Sequence, residues 1–218
     1  MIHGTLDRSG KPAVICPERL EEEFGSIDVY VFDQLLRGRI KQDMRVLDAG
    51  CGQGRNLVYL LRQGADVSAV DSDPVAVEHV RALAARLAPG LPADQFRADS
   101  LLDLSFEDAT FDVVLCNAVL HFLEGEDSFR TALDEMFRVL RPGGLFFARL
   151  SSTIGVEHLL EHEGHRRYVL PDGRRWFLVD EQFLETEAAR LGAEPIDPLK
   201  TTIVQNQRSM TTWVLRKA

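Results

Sequence analysis

The chain is expected to fold as an α/β protein on a doubly wound, mostly parallel sheet, and three observations predict this. Strand-like and helix-like patterns alternate between residues 45 and 150. The stretch Val46-Leu47-Asp48-Ala49-Gly50-Cys51-Gly52-Gln53-Gly54-Arg55-Asn56 runs from an apolar pair through a carboxylate into a glycine-rich turn and then an amphipathic segment. A third stretch, residues 111–117, is almost continuously apolar, as a strand covered on both faces requires. One domain is expected over residues 1–218. It divides into an arm with cap helices (1–40), a ligand-binding core (41–150), a variable lid segment (151–179) and a closing helix with a β-hairpin (180–218).

Taken in order, residues 1 to about 17 read as a polar, partly mobile arm. Residues 17–40 carry apolar side chains at helical spacing (Leu20, Phe24, Ile27, then Val31, Leu35 and Leu36), with a break at Gly25-Ser26. One or two helices are expected there. Residues 45–49 form the first strand, and 56–63 a helix stopped by Gly64. Residues 66–70 are the second strand. Asp73-Pro74 supplies a cap and a first-turn proline for a helix running to about Leu87. Pro89-Gly90 turns the chain into a short third strand at 95–98, and 111–117 is the fourth strand. A helix at 127–140 has Phe129, Leu133, Met136, Phe137 and Leu140 on one stripe. The turn Arg141-Pro142-Gly143-Gly144 stops it, and 145–150 is the fifth strand. Residues 151–179 read as polar and irregular, with a turn at Pro171-Asp172-Gly173. A helix at 180–191 ends at Gly192, and 201–204 with 211–215 look like an antiparallel pair at the sheet edge.

Bulk properties narrow the function. The net charge of −9 disfavours a nucleic-acid substrate, since phosphate binding leaves a basic footprint. Arg166-Arg167 and Arg174-Arg175 read as a solvated rim rather than a binding patch. No run reaches the ~18 apolar residues of a membrane span, and residues 1–11 lack the apolar centre of a signal peptide. The 3 cysteines are too scattered for a disulfide framework or a metal knuckle. A reduced, cytoplasmic setting is expected, with no membrane partner.

The glycine loop points to a nucleotide-like cofactor, because glycines admit a ligand close to the backbone and a helix N-terminus offers free N–H groups. A dinucleotide fingerprint fits poorly: counted from Gly50 and Gly52, its third glycine falls on Arg55. Asp48 also argues against a pyrophosphate and for a cation, an ammonium or a sulfonium. Asp71 follows Gly52 by 19 residues at the end of the second strand, where a carboxylate can accept from both ribose hydroxyls. Asp99 closes the third strand and can accept from an adenine amino group. Carboxylates at the ends of three successive strands suit a ligand with adenosine at one end and positive charge at the other. S-adenosylmethionine is such a ligand.

Together with Phe111-Asp112-Val113-Val114-Leu115-Cys116-Asn117 and Arg141-Pro142-Gly143-Gly144, these landmarks resemble the class I S-adenosylmethionine-dependent methyltransferase family. The resemblance covers about residues 40–150 and the β-rich tail. It implies a seven-stranded, Rossmann-like sheet of order 3-2-1-4-5-7-6 with strand 7 antiparallel. It further implies that Gly50, Cys51 and Gly52 line the methionine moiety, Asp71 and Ser72 hold the ribose, and Asp99 and Ser100 meet the adenine. Asn117 and Val119 would pack where the sulfonium approaches the acceptor. Gly54-Arg55-Asn56 is similar to the small-molecule branch that contains the tellurite-resistance methyltransferases.

Several side chains carry two readings. Asp48 binds the cofactor or orients the loop. Asn56 touches the methionine end or caps the helix. Tyr30, Gln34 and Arg37 reach the methionine carboxylate or acceptor, or merely pack. His121 is the one candidate general base, with a core or solvent-facing histidine as the alternative. His158, His162 and His165 have spacing that could place two imidazoles on one helix face. The segment's polarity favours a solvated helix or lid, and no metal is expected. Cys116 does not follow a proline as a base-methylating nucleophile would, and Asn117 is not followed by Pro-Pro-aromatic, so DNA is disfavoured again. The reading that results is methyl transfer to a small, already nucleophilic acceptor, bound by residues 17–40 and 151–179. A protein or RNA acceptor, a non-catalytic cofactor binder and a nicotinamide-dependent oxidoreductase are the alternatives.

Overall fold

The computed structural model describes residues 17–218; the expected arm, with Cys16, lies outside them. The chain opens with α1 (Pro17–Phe24) and α2 (Val29–Leu36), the latter capped by the Asp28 carboxylate, which accepts from the Tyr30 N–H. Gly25 separates them at φ +61°, where a Cβ would strike Val58 Cγ2 at 2.7 Å. The alternating core follows: β1 (Arg45–Ala49), α3 (Val58–Arg62), β2 (Asp66–Asp71), α4 (Pro74–Leu87), β3 (Phe96–Ala98), β4 (Phe111–Asn117), α5 (Glu126–Val139) and β5 (Leu140–Ser152). The Asp73 carboxylate caps α4 through the Val75 N–H, with Pro74 in the first turn as the sequence predicts. The remainder is β6 (Glu161–Gly164), β7 (Arg167–Val169), β8 (Arg175–Phe177), α6 (Glu181–Arg190), β9 (Ala193–Pro195), β10 (Lys200–Val204) and β11 (Arg208–Lys217).

The main sheet runs β10-β11-β5-β4-β1-β2-β3, with β9 also beside β11. Strands β1 to β5 pair in parallel, and β11 is antiparallel to β5. This is the expected order with one elaboration. β11 stands in the place of strand seven. The position of strand six is divided between β9 and β10, because the chain leaves the ladder at Asp197-Pro198, where proline has no N–H to give. Alternate side chains of each strand face opposite layers. One layer packs Leu47, Val114, Phe146 and Ala148 against α5 and α6; the other packs Val46, Val67, Leu115 and Phe147 against α3, α4 and Val31 of α2.

Four local expectations change. The helix after the glycine loop starts at Val58 rather than residue 56, since Gly54 sits at φ +77° and its carbonyl is taken by the Leu57 N–H in a tight turn. The turn Arg141-Pro142-Gly143-Gly144 lies inside a longer β5: pairing passes from Phe111 with Leu140 to Val113 with Leu145, and the intervening residues bulge out. The closing pair β10 and β11 lies at the end of the sheet as expected, but its strands are longer, and β9 joins it there. Residues 151–179 are not irregular. They build a second antiparallel sheet, β6-β7-β8, around Leu170, Trp176 and Leu178. The expected turn at Pro171-Asp172-Gly173 joins β7 to β8, with the Gly173 N–H bonded to the Leu170 carbonyl. The histidines of this region therefore share no helix face. His162 is on β6, His158 is in a single 3-10 turn, and His165 lies with Arg166 in a two-residue turn with both φ angles positive. Among the described residues, no group of three His, Cys, Asp or Glu side chains is placed to hold a metal ion. No described helix is long and apolar enough to cross a membrane.

Candidate functional site

The parallel register aligns the C-terminal ends of β1, β2, β3, β4 and β5, with Ala49 opposite Val70, Asp71 opposite Ala98 and Asn117 opposite Arg149. Loops leaving these ends enclose a cleft of about 1070 Å³. That lies at the top of the ~300–1,000 Å³ range of small-molecule sites. The crevice at the strand ends is where open α/β sheets bind ligands.

The glycine loop forms one wall. The N–H groups of Gly50 and Cys51 both donate to the Val70 carbonyl, at 2.8 and 2.9 Å, pinning the loop to β2. Gly50 has φ +86°, and a Cβ there would run into both methyl groups of Val119. Gly52 has φ +51°, and a Cβ there would meet nothing within 4 Å, so the loop backbone faces open cleft. Asp71 accepts from the Gly52 N–H (2.8 Å) and the Asp73 N–H (3.0 Å), which ties the carboxylate to the loop and leaves acceptor capacity on both oxygens. Asp99 accepts from the N–H groups of Ser100 and Ser105 and from the Ser105 hydroxyl. It therefore also shapes its own loop, and Ser72, Ser100, Leu101 and Leu102 line the cleft beside these two carboxylates.

On β1 and β4, beneath the cleft, two buried polar side chains lack any partner. Both oxygens of Asp48, 1% exposed, and both amide atoms of Asn117, 7% exposed, are unbonded. Leaving such groups unsatisfied costs about 1–3 kcal/mol each, more for a charge. Burial is the main cause raising the Asp48 pKa, to about 7; Asp71 adds to it and Arg55 opposes it. A cationic ligand near the loop would restore the Asp48 carboxylate. The residues present thus fit a group with positive charge beside β1 and hydroxyls beside β2, as S-adenosylmethionine has.

His121 is buried (2% exposed) in the 3-10 turn Leu120–Phe122 and lines the cleft. Its Nδ1 accepts from the Ser151 N–H at 3.4 Å, so the neutral ring carries its proton on Nε2. Burial, with Arg174 and Arg208 adding, pushes its pKa down to about 4. At neutral pH it is a hydrogen-bond donor and a poor base. Burial also pushes the thiols of Cys51 and Cys116 far up, so neither is a nucleophile at neutral pH.

The expected contribution of α2 goes elsewhere. Tyr30 bonds through its hydroxyl to Thr202 (2.8 Å). Gln34 is buried between Arg39 and Asp197, and Arg37 pairs with Asp33 (2.9 Å). None of the three lines the cleft. Asn56 neither caps α3 nor stands alone: its Oδ1 accepts from the Asp28 N–H (3.0 Å), joining the glycine loop to the start of α2.

Sequence reasoning missed the arginines and the aromatic wall. Arg149 ends the parallel stretch of β5, its Nη1 on Asp28 (3.2 Å) and its buried Nε unpartnered. The strand-end rule that found Asp71 and Asp99 would have found it. Trp176 of β8 stands 4.4 Å from the His121 ring and meets Phe122 edge-on at 5.6 Å. Arg174 lies over Trp176 at 4.5 Å, and Arg208 and Met210 complete that end of the cleft. No local pattern marks these residues, because folding alone brings the lid sheet to the 3-10 turn.

Comparison with known proteins agrees with this geometry. Residues 47–148 match the family described as "Methyltransferase domain". The chain is similar to a ubiquinone biosynthesis O-methyltransferase of Brucella anthropi, 33% identical over 170 residues that make up 73% of this chain and 63% of that one. It is also similar to an uncharacterized protein of Haemophilus influenzae, 31% identical over 137 residues. The chain spans about half the length of the curated relatives it matches, 53% and 45% for two of them. In fold it is similar to the 1,6-didemethyltoxoflavin-N1-methyltransferase of Burkholderia thailandensis, solved with 1,6-didemethyltoxoflavin and S-adenosylhomocysteine. The TM-score is 0.66 at 23% identity, covering 93% of this chain and 82% of that one. The sheet order and the matched segment point the same way, and residues 47–148 belong to the class I S-adenosylmethionine-dependent methyltransferase family.

Proposed function

We propose that this protein transfers the methyl group of S-adenosylmethionine to a small-molecule acceptor held between the aromatic wall and the glycine loop. The observation that carries the reading is the unpartnered pair Asp48 and Asn117 beneath a cleft of about 1070 Å³. Bound there, S-adenosylmethionine supplies a methyl group already activated on a sulfonium. Gly50, Cys51 and Gly52 bring the loop backbone against the methionine portion, and Asp48 balances its positive end. Arg149, with Arg55 beside it, is placed to meet the methionine carboxylate once Asp28 yields. Asp71 and Ser72 take the ribose hydroxyls. Asp99, Ser100, Leu101 and Leu102 enclose the adenine.

Asn117 and Val119, with the Val119 methyl groups against Gly50, set the depth at which the acceptor meets the methyl group. Alignment of two bound reactants is the main contribution such a site makes to an in-line displacement. His121 holds its ring by Nδ1 and offers Nε2–H to the acceptor, so it orients rather than deprotonates. An acceptor atom that is already nucleophilic, a thiolate, an amine or an ionised phenol, is therefore the better match. A relative that methylates an oxygen and a fold neighbour that methylates a ring nitrogen support a small acceptor.

The test is calorimetry with S-adenosylmethionine, S-adenosylhomocysteine and NAD, followed by adenosylhomocysteine release over a panel of small phenols, amines and thiols. Binding of both sulfur compounds but not NAD, with turnover of at least one acceptor, is expected. Binding of NAD alone, or of no cofactor, would sink the proposal.

A further inference from the structure

We infer that the acceptor is a planar aromatic anion, recognised by Trp176 and Phe122 through its ring and by Arg208 and Arg174 through a carboxylate or phosphate. The inference rests on the cofactor occupying the carboxylate end of the cleft, and it names what the other end takes. That other end combines two features. Its wall is aromatic: His121 stands between Phe122 (4.3 Å) and Trp176 (4.4 Å), and Phe122 is 62% exposed at the mouth. Exposure of so large a ring at the mouth of the cleft leaves a face on which a second ring can stack.

The second feature is charge. Arg174 is held over Trp176 and pairs with Asp172. Arg208, at the start of β11, makes no ion pair and no side-chain hydrogen bond among the described residues, yet it lines the same cleft. Asp172 feels its charge but is taken by Arg174. Among the described residues, two guanidinium groups thus face one carboxylate at the acceptor end, in a chain whose net charge is −9. Both guanidinium groups lie near enough to His121 to add to the effect of its burial in disfavouring the protonated ring. A guanidinium fork matches a carboxylate or phosphate in geometry and charge. At the opposite end Asp71 and Asp99 repel such an anion, so the two ends of the cleft sort cofactor and acceptor by sign. A nucleic acid would need a continuous basic track, and the carboxylates at the far end interrupt it.

The probes are matched pairs: 4-hydroxybenzoate with 4-hydroxybenzamide, and 1-naphthyl phosphate with 1-naphthol. Their affinities are measured by calorimetry with the protein alone and saturated with S-adenosylhomocysteine. Each anion is expected to bind at least tenfold more tightly than its neutral partner. Arg208→Gln is expected to remove that preference, and Arg174→Gln to reduce it, while adenosylhomocysteine affinity stays within twofold. Trp176→Leu weakens both members of a pair alike. Equal binding of neutral and anionic members, a preference intact in both arginine variants, or tighter binding of a single-stranded RNA oligomer than of any small anion would overturn the inference. Failure of adenosylhomocysteine to bind would instead remove the cofactor reading, and the anion preference of the unloaded protein would still be read.

Discussion

Asp48→Asn separates the stability of this fold from its function. The Asp48 carboxyl sits on β1 with no partner, and burial raises its pKa from 3.8 to about 7. Between those two values the unfolded chain has released the proton and the folded chain has kept it. Stability therefore falls as pH rises through that window and levels off above 7. A raised carboxyl works in the opposite direction from a salt-bridged one. At 1.36 kcal/mol per unit, the full penalty is about 4 kcal/mol, of which about 2.5 kcal/mol accumulates between pH 5 and pH 8. Asparagine titrates in neither state. Urea denaturation followed by tryptophan fluorescence is expected to show the variant gaining on the wild type by about 2.5 kcal/mol more at pH 8 than at pH 5. The same substitution should weaken S-adenosylmethionine tenfold or more, because the charge that balances the ligand is gone. Calorimetry of the wild type near pH 6.5, in two buffers of different ionisation enthalpy, should also show protons leaving on binding. A stability difference that is the same at both pH values would refute the reasoning, as would binding without proton release.

Four further outcomes are expected. Asp71→Asn keeps the loop bond to the Gly52 N–H but loses a charged acceptor, and should raise the adenosylhomocysteine Kd by roughly 10- to 100-fold, read by calorimetry. Gly50→Ala should destabilise by about 3 kcal/mol, from a positive φ and the collision with Val119; adding Val119→Ala should recover part of this in a denaturation cycle. With His121 neutral above pH 5, kcat at saturating cofactor should carry no imidazole inflection between pH 5.5 and 8. Under the same assay, an inflection near 7 in kcat/KM for the cofactor should survive His121→Asn and vanish in Asp48→Asn. Arg37→Ala should leave adenosylhomocysteine affinity unchanged and the urea midpoint close to that of the wild type, because its pairs with Asp33 and Asp197 are made by an exposed guanidinium.

What the sequence disclosed depended on how local the cause was. The glycine loop, the strand-end carboxylates Asp71 and Asp99 and the cap at Asp73 are each decided within a few residues, and all were legible. The lid sheet was not. Its strands are three or four residues long, and Glu161–Gly164 shows no apolar alternation, so nothing in it outcompetes a loop reading. The α2 residues fail for another reason. Tyr30, Gln34 and Arg37 do share a helical face, but periodicity does not say what that face meets. Here it meets Thr202 and Asp197 rather than the cleft. The aromatic wall joins His121 to Trp176 across the chain, a proximity that only the closed fold creates.

Asp197 has a consequence for how the chain assembles. It binds Arg39 at 2.8 Å and Arg37 at 3.6 Å, accepts from Gln34, and lies beside Lys200, which itself holds Asp33. The polar side of α2 is thus fastened by residues more than 150 positions further along the chain. β11, the last strand in chain order, must enter between β5 and its own neighbours β9 and β10. Until it does, the edge of β5 stays open and α2 lacks its polar partners Asp197, Lys200 and Thr202. A chain that has not yet placed β11 therefore carries an unpaired strand edge, and closing it is a long-range, slow step of folding.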